Sequence, residues 1–404
     1  MKVLFINSVY GHGSTGGIIQ QLGKALEEQG DCYMVAYGRG DKMDDPHCYY
    51  IGSLLDAYLH AGLSRITDRA GFFSKRATQK LLDFIRGYTP DVIHLHNLHG
   101  YYVNIELLFE FLKAEFSGKI IWTLHDCWAF TGHCTHYTYA ECEKWKTGCN
   151  KCPQKSDYPA SWGLDCSCLN YIEKKSLFCG VPNLTIVTVS QWLKGEVEKS
   201  FLKDYPIHCA YNGIDTAVFH PVENHVKQEL GIQNKKMILL VSDGWTERKG
   251  YGCALDVAEK APADWHFVIV GLSKNQIRKL PDNITGFERI WNQQKLVEFY
   301  SAADVFFNPS VEETFGLVTA EAIACGTPAV VMNSTACPEP LCGHGMVLKE
   351  RNPYEITFFI AHAFSLKETY VWFPLSVEKM VRGYMSIYYE KQEIPLCKQI
   401  NYHS

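Results

Sequence analysis

Apolar runs of strand length alternate along the chain with stretches in which apolar residues recur at helical spacing. In the first half the runs are KVLFINS, CYMVAYG, DVIHLHN, KIIWTLHD and LTIVTVS, with helical patterns such as IIQQLGKALEEQG between them. The second half repeats the alternation with KMILLVS, WHFVIVG, ADVFFNPS and PAVVMN. Alternating strands and helices form βαβ units around a parallel sheet, so the pattern predicts an α/β fold.

The 404 residues predict two doubly wound domains, because single cores stop growing at about 250–300 residues. The stretch DYPIHCAYNGIDTAVFHP is rich in turn residues and prolines and separates one α/β set from the next. We expect a first domain at residues 1–205, a second at 206–373, and a C-terminal helix in 374–404 that packs back on the first domain. Ligands of parallel sheets bind beyond the carboxyl ends of the strands, which predicts a site between the domains.

Charge and composition limit which partners the protein can bind and in which cellular compartment it is expected. The net charge is -5, which excludes a protein that binds nucleic acid through a broadly basic surface. No apolar run approaches the roughly 18 residues that span a bilayer, and the first residues read as a strand and not as a secretory signal. The sequence therefore predicts a cytoplasmic protein whose 16 cysteines are thiols or metal ligands and not a disulfide framework.

Two carboxylates flank the segment that follows the run ADVFFNPS. Glu313 lies in the loop after this predicted strand, and Glu321 lies about one turn into the next predicted helix. The amides of Phe315, Gly316 and Leu317 begin that helix, where unpaired N–H groups and the helix dipole favour a phosphate. Carboxylates on both sides of a phosphate site suit a ligand with hydroxyls at both ends. A nucleotide sugar has this layout.

These residues resemble the E-x7-E signature of retaining GT-B glycosyltransferases, specifically family 4, which contains many bacterial polysaccharide glycosyltransferases. Further stretches agree in order along the chain, namely the glycine loop after the first strand, TLHD, NGIDTAVFHP, RKG, LVEFYSAADVFFNPS and ACGTPAVV. The resemblance implies two Rossmann-like domains that face each other across a cleft. It also implies the transfer, with retention, of a sugar from a UDP- or GDP-sugar to a glycan or lipid-linked acceptor in cell-surface polysaccharide synthesis.

The resemblance assigns roles on the donor side of the cleft. Glu321 would bind the ribose hydroxyls, and Glu313 the hydroxyls of the transferred sugar. Lys249, helped by Arg248, would neutralise the departing pyrophosphate, which develops negative charge as the glycosidic bond breaks. The chain departs from the family at Gly244, where many members carry an arginine, and at NSTACPE, where a glycine-rich turn is common. The sequence contains no D-x-D, so no catalytic divalent metal is expected.

The resemblance also assigns residues on the first-domain side. His125, at the end of a predicted strand, would contact the sugar at the reaction centre, and Gly16 and Gly17 would line the cleft beside the donor. The alternative for His125 is a core histidine that is bonded to a backbone carbonyl. Another strand end supplies the expected acceptor-side residues, which are His96, Asn97, His99 and Tyr101.

The same glycine loop allows a different class of enzyme. GHGSTGG spells G-x-G-x-x-G from Gly11 to Gly16, after a strand and before a helix, which is the dinucleotide fingerprint. The second strand ends in VAYGRG without an acid for a ribose, although Arg39 suits a 2′-phosphate. An NAD(P)-dependent oxidoreductase is therefore the alternative function.

A cysteine-rich insertion is expected at about residues 127–168. Its spacing, C-x7-C-x6-C-x2-C, is formed by Cys134, Cys142, Cys149 and Cys152. Four thiolates that include one C-x2-C knuckle suit a structural zinc, and packed or redox-active thiols are the alternative. A non-catalytic binding protein stabilised by zinc is a further hypothesis.

A basic stretch, SRITDRAGFFSKRATQK, lies at residues 64–80. Its cationic residues surround two phenylalanines, which suits peripheral contact with anionic lipid on the inner membrane surface. A solvated charged helix, broken at Gly71, is the favoured interpretation.

Overall fold

The computed structural model describes residues 1–367 and 373–390. Its first domain is a parallel sheet with the strand order β3-β2-β1-β4-β5-β6-β7. The elements of this domain are β1 (Lys2–Val9), α1 (Gly13–Glu28), β2 (Cys32–Arg39), β3 (Cys48–Tyr50), α2 (Leu54–Thr67), α3 (Lys75–Tyr88), β4 (Val92–Leu95), α4 (Ile105–Ala114), β5 (Lys119–Leu124), α5 (Ser167–Phe178), β6 (Leu184–Thr188), α6 (Gln191–Val197) and β7 (Ile207–Cys209).

The second domain is a parallel sheet with the order β10-β9-β8-β11-β12-β13. Its elements are α7 (Val226–Glu229), β8 (Lys236–Val241), α8 (Tyr251–Lys260), β9 (Trp265–Val270), α9 (Lys274–Ile277), β10 (Ile284–Phe287), α10 (Gln293–Ala302), β11 (Val305–Asn308), α11 (Leu317–Ala324), β12 (Ala329–Met332), β13 (Gly345–Leu348) and α12 (Pro353–Ala363). The predicted α/β fold with two Rossmann-like domains is confirmed.

The central strands are buried along their whole length because helices cover both faces of each sheet. β4, β9, β11 and β12 have every residue buried, as expected for parallel strands inside a layered sheet. In both sheets the strand order reverses beside the first strand, between β1 and β4 and between β8 and β11. Ligands of doubly wound sheets bind in the crevice at such a switch point, which directs attention to the loops after these strands.

The seventh strand extends the first sheet beyond the boundary expected at residue 205. Ile207–Cys209 pairs with β6 and is followed by the crossing to the second domain. The chain returns to the first domain beside this crossing, where Ile214 N donates to Leu375 O over 2.9 Å.

The last helix, α13 (Val377–Tyr389), packs on the first domain. Tyr388 Oη lies 2.7 Å from His94 Nδ1 on β4, and Tyr384 Oη lies 3.2 Å from Thr123 Oγ1 on β5. The rest of the segment predicted to follow this helix, residues 391–404, lies outside the described residues.

The insertion at 127–168 joins β5 to α5 with two single 3₁₀ turns, at Trp128–Phe130 and Lys144–Lys146. The basic stretch at 64–80 is the end of α2 and the start of α3, with the break at Asp68–Ser74 and not at Gly71 alone.

Candidate active site

A cleft of about 440 Å³ lies between the two domains. It opens at the carboxyl ends of β5, β8 and β11, where the strand-end rule places ligands of parallel sheets. Its first-domain side is formed by Ser14, His125, Val189 and Asn212, and its second-domain side by residues 241–246, Arg248, Lys249, Asn308 and residues 313–318.

The loop after β11 delivers the N-terminus of α11 to this cleft. Gly316, the residue before the helix, has φ +93°, a left-handed conformation that glycine adopts without steric cost. Gly316 O accepts the first backbone bonds of the helix, from Thr319 N and Ala320 N. Asn308 Nδ2 donates to Thr319 Oγ1 over 3.1 Å and fixes the helix against the end of its strand. The amides at residues 315–317 therefore line the cleft without intrahelical acceptors, as an anion site requires.

Lys249 and Glu313 form a half-buried ion pair in the cleft. Lys249 Nζ lies 2.6 Å from Glu313 Oε1. Burial alone would raise the pKa of Glu313, but the Lys249 ammonium outweighs it and holds this pKa below its usual value. Gly250 brings the lysine close, because a Cβ at this position would lie 2.6 Å from Pro309 O. In the RKG motif, Lys249 supplies a positive charge, and Gly250 allows the loop to approach Pro309 closely.

Arg351 holds the loop that carries the two cations. Its guanidinium donates to the carbonyl oxygens of Glu247 at 3.0 Å, Arg248 at 3.0 Å and Pro309 at 2.7 Å. It thus joins the loop after β8 to the loop after β11. Arg248 itself lines the cleft and donates to Glu312 O over 3.4 Å. Arg351 lies far along the chain in a loop without a motif, so no sequence signal pointed to it.

Glu321 lies on α11 as predicted, beyond the part of the helix that lines the cleft. Its carboxylate accepts a 2.8 Å hydrogen bond from Tyr300 Oη. Burial raises the pKa of Glu321 to about 7, and the tyrosine hydroxyl only partly opposes this shift. A carboxyl group that is half-protonated near neutral pH is unusual, and such groups are frequent at functional sites.

His125 follows β5 and lines the first-domain side of the cleft. Its Nε2 lies 2.9 Å from His96 Nδ1, and the two rings stack. Burial lowers the pKa of His125 to about 4, so the imidazole is neutral at pH 7. His125 is therefore bonded to another side chain and not to a backbone carbonyl.

Asp126, next in the chain, is bonded to the loop after β4. Asp126 Oδ2 accepts from His99 Nε2 over 2.7 Å, and Oδ1 accepts from Trp128 N over 2.9 Å. Burial opposes ionisation of Asp126, but the charge of His99 and these bonds lower its pKa to about 2. On the other side of the ring, His99 Nδ1 lies 3.1 Å from Tyr158 Oη.

The predicted acceptor-side residues lie together, but most of their surface is inside the first domain. His96 is 1% exposed, His99 8% and Tyr101 4%. Asn97 is half-buried, and its backbone N donates to Asn7 Oδ1. The histidines contact His125 and Asp126, so the geometry suits support of the cleft wall more than direct contact with a ligand.

The glycine loop contributes a different residue from the two predicted. Gly16 and Gly17 lie within α1, and Gly16 is buried where a Cβ would lie 3.3 Å from Gly11 N and 3.4 Å from Tyr10 Cα. Ser14, on the same turn, lines the cleft. The part of Gly16 and Gly17 in donor binding stays a prediction.

Two carboxylates of the second domain bind backbone amides of the first. Glu312 Oε1 accepts from Tyr137 N at 2.8 Å and Thr138 N at 2.5 Å, in the insertion. Glu339 accepts from the first two amides of α6, at 2.8 and 2.7 Å. Contacts between distant segments carry no local sequence signal, and the sequence analysis missed both residues.

The four cysteines predicted to bind zinc line one small space in the insertion: Cys134, Cys142, Cys149 and Cys152. In the described ranges, no group of three or more His, Cys, Asp or Glu side chains is arranged to hold a metal ion. The rings of Tyr137 and Trp145 also border this space, and Cys149 Sγ accepts from Gly132 N. A zinc ion held by these four cysteines stays a prediction.

Comparison with solved structures places this architecture among GT-B glycosyltransferases. A glycosyltransferase from Rickettsia africae has a TM-score of 0.68 at 14% identity, with 96% of this chain and 97% of that chain covered. HepE (Alr3699) of Anabaena, solved with UDP and glucose, has a TM-score of 0.62 at 14% identity, with coverages of 96% and 99%. The predicted GT-B fold is confirmed.

Sequence comparison supports the same class. Residues 235–363 match the family model described as Glycosyl transferases group 1. The chain is 26% identical over 360 residues to the "Putative colanic acid biosynthesis glycosyl transferase WcaC" of Escherichia coli (strain K12), covering 84% of this chain and 85% of that protein. Together these findings support a group 1 glycosyltransferase, and none of them supports the oxidoreductase alternative.

Proposed function

We propose that this protein is a retaining, metal-independent GT-B glycosyltransferase of the family 4 type. It transfers a sugar from a nucleoside diphosphate sugar, of UDP or GDP, to a glycan or lipid-linked acceptor. The observation that carries the proposal is the interdomain cleft in which Lys249 and Glu313 lie beside the N-terminus of α11. This arrangement offers a cation and free amides to a diphosphate and a carboxylate to sugar hydroxyls.

The donor lies across this arrangement. Its β-phosphate accepts bonds from the amides at residues 315–317, and Lys249 and Arg248 balance its charge. Glu313, ionised at pH 7, accepts from hydroxyls of the transferred sugar. Glu321 accepts from the ribose hydroxyls. Support comes from the positions of Arg248, Lys249 and Glu313 in the lining of the cleft. Glu321 adds a carboxylate one turn into α11.

The transfer itself exchanges one bond at the anomeric carbon for another on the same face. The bond from this carbon to the β-phosphate oxygen breaks, and the bond to the acceptor oxygen forms as the acceptor proton passes to the departing phosphate. Lys249, Arg248 and the helix amides stabilise the charge that develops on this phosphate. His125, neutral at pH 7, positions the sugar from the opposite wall of the cleft.

Release of UDP or GDP from a panel of their sugars tests this function. We expect turnover with one donor, a loss of at least a hundredfold in Lys249→Ala, and no change in Lys260→Ala, whose side chain is exposed on α8. Activity that persists after chelation of divalent ions supports metal independence. Product NMR that shows an inverted anomeric configuration would reject retention.

We also propose a cytoplasmic location with peripheral contact at the inner membrane surface. α2 exposes a row of large apolar side chains, including Leu55 at 68%, Tyr58 at 71% and Ile66 at 60%. Trp162 of the insertion, 76% exposed, extends this face through a 2.7 Å bond from its backbone N to Arg65 O. An exposed apolar patch beside basic residues suits an anionic lipid surface. Among the described helices, none is long and apolar enough to cross a bilayer.

Sedimentation with phosphatidylcholine vesicles, with and without phosphatidylglycerol, tests this contact. Wild type is expected to sediment with the anionic vesicles, and the double variant Leu55→Ser with Tyr58→Ser to remain in solution. Tyr354→Ser, which changes a tyrosine 70% exposed on α12, is the control. Equal behaviour of the double variant and the control would count against the contact.

A further inference from the structure

A second cavity, of about 340 Å³, adjoins the cleft on the side of the insertion. The insertion contributes most of its wall, and the loop after β8 closes it with Thr246, Glu247 and Arg248. Thr246 and Arg248 line both this cavity and the cleft, so the two spaces meet at the loop after β8. A molecule in the second cavity therefore lies next to the donor site.

Two residues that line this cavity carry buried polar atoms without partners. Gln154 Oε1 and His136 Nδ1 have no hydrogen-bond partner within residues 1–367 and 373–390. Gln154 is 7% exposed, and its Nε2 is held by Asp157 Oδ2 at 3.4 Å, which leaves the carbonyl oxygen free. Buried polar atoms usually find partners, because leaving one unpaired costs about 1–3 kcal/mol. A ligand hydroxyl would supply the missing donor to Gln154.

The remaining lining is that of a carbohydrate site. Tyr139 and Tyr158, 47% and 46% exposed, offer aromatic faces to the apolar faces of a sugar ring. Asp157 and Glu247 add acceptors for hydroxyls and oppose an anionic occupant such as a second phosphate. Tyr158 Oη lies 3.1 Å from His99 Nδ1, and the partner of His99, Asp126, directly follows His125, so hydrogen bonds connect the cavity to the reaction centre.

We propose that this second cavity binds the sugar unit of the acceptor whose hydroxyl attacks the donor. Gln154 and His136 form hydrogen bonds with other hydroxyls of this sugar unit. This assignment rests on the proposed glycosyltransferase function and gives it an acceptor class, an uncharged glycosyl group. It also assigns the insertion a role in acceptor binding, because this segment supplies Gln154, Tyr139 and Tyr158. The acceptor-side residues expected from sequence then act behind the cavity, by holding Tyr158 and His125.

Acceptor kinetics of Gln154→Ala and Tyr139→Ala test the proposal. The probes are p-nitrophenyl glycosides of the common hexoses, 6-deoxyhexoses and N-acetylhexosamines, with the donor that the wild type turns over. For each variant we expect the acceptor KM to rise about tenfold, the effect of losing roughly 1.4 kcal/mol of binding. The donor KM and the slow hydrolysis of the donor without acceptor should stay at wild-type values.

Matched controls separate this site from a general loss of structure. Gln233→Ala and Tyr354→Ala remove the same residue types at exposed positions outside the cavity and should leave every constant unchanged. A thermal midpoint that still rises with the nucleoside diphosphate shows that each cavity variant is folded and binds donor.

The two proposals fail in different ways. Wild type that turns over no nucleotide sugar refutes the proposed function itself. If donor turnover is normal but the cavity variants keep the wild-type acceptor KM, or if wild type uses none of the glycosides, the acceptor assignment is overturned. A raised donor KM in both variants would place the cavity in the donor site and would also overturn it.

Discussion

Replacing Glu321 with glutamine should stabilise the protein at alkaline pH while weakening nucleotide binding. The pKa of this carboxyl group is raised from 4.5 to about 7 by burial on α11. Between these values the folded protein keeps a proton that the unfolded chain releases. The free energy of unfolding therefore falls as the pH rises through this window, and the cost is fully present above pH 7.

The size of the effect follows from the shift. About 2.5 pH units at 1.36 kcal/mol each give an upper limit of roughly 3 kcal/mol. Glutamine resembles the protonated acid, keeps an oxygen for Tyr300 Oη and has no charge to bury. The variant should thus exceed the wild type by up to about 3 kcal/mol at pH 8, or roughly 3–4 °C in thermal midpoint for a chain of 404 residues, and by little at pH 4.

Urea unfolding of the wild type and Glu321→Gln at several pH values between 4 and 8 measures this difference. The curves of unfolding free energy should converge at low pH and separate as the pH rises. At the same time, added UDP or GDP should stabilise the variant less, because an amide offers only one acceptor to two ribose hydroxyls. Curves that stay parallel across this range would refute the buried, proton-holding carboxyl group on which the argument depends.

Three further variants test the parts that build the site. Gly250→Ala places a Cβ 2.6 Å from Pro309 O at a positive φ, so unfolding in urea should show a loss of about 1–3 kcal/mol; an unchanged midpoint contradicts the close approach. Arg351→Ala removes the donor to three loop carbonyls and should raise the donor KM with little effect on acceptor KM. Glu312→Ala leaves two insertion amides without their acceptor, so limited proteolysis should cut the insertion faster than in wild type.

The strongest sequence signals were those with a local physical cause. Long apolar runs predicted the central strands correctly, because a strand that is covered on both faces is built mostly from apolar residues. The third strand, Cys48–Tyr50, and the seventh, Ile207–Cys209, are three residues each at the edges of the first sheet, too short to show a pattern. The motif at Glu313 led to the second-domain side of the cleft because its strand, loop and helix are contiguous in sequence.

Residues brought together by the tertiary path had no such signal. Gln154 and Arg248 line one cavity only because the insertion folds onto the second domain, and Arg351 reaches the loop after β8 from a segment beyond β13. The cysteine spacing limits which thiols can meet, and the four thiols do line one small space beside Tyr137 and Trp145.

The measurement that tests the central claim most directly is the thermal midpoint of wild type, Lys249→Ala and Lys260→Ala with UDP, GDP, ADP, NAD and NADP in turn. A ligand at 100 times its dissociation constant stabilises the folded state by about 2.7 kcal/mol, which such a measurement resolves. The account predicts that UDP or GDP raises the midpoint of wild type and Lys260→Ala and has little effect on Lys249→Ala. Stabilisation of all three proteins by NAD or NADP alone would contradict it and would assign the glycine loop of the first domain as the nucleotide site.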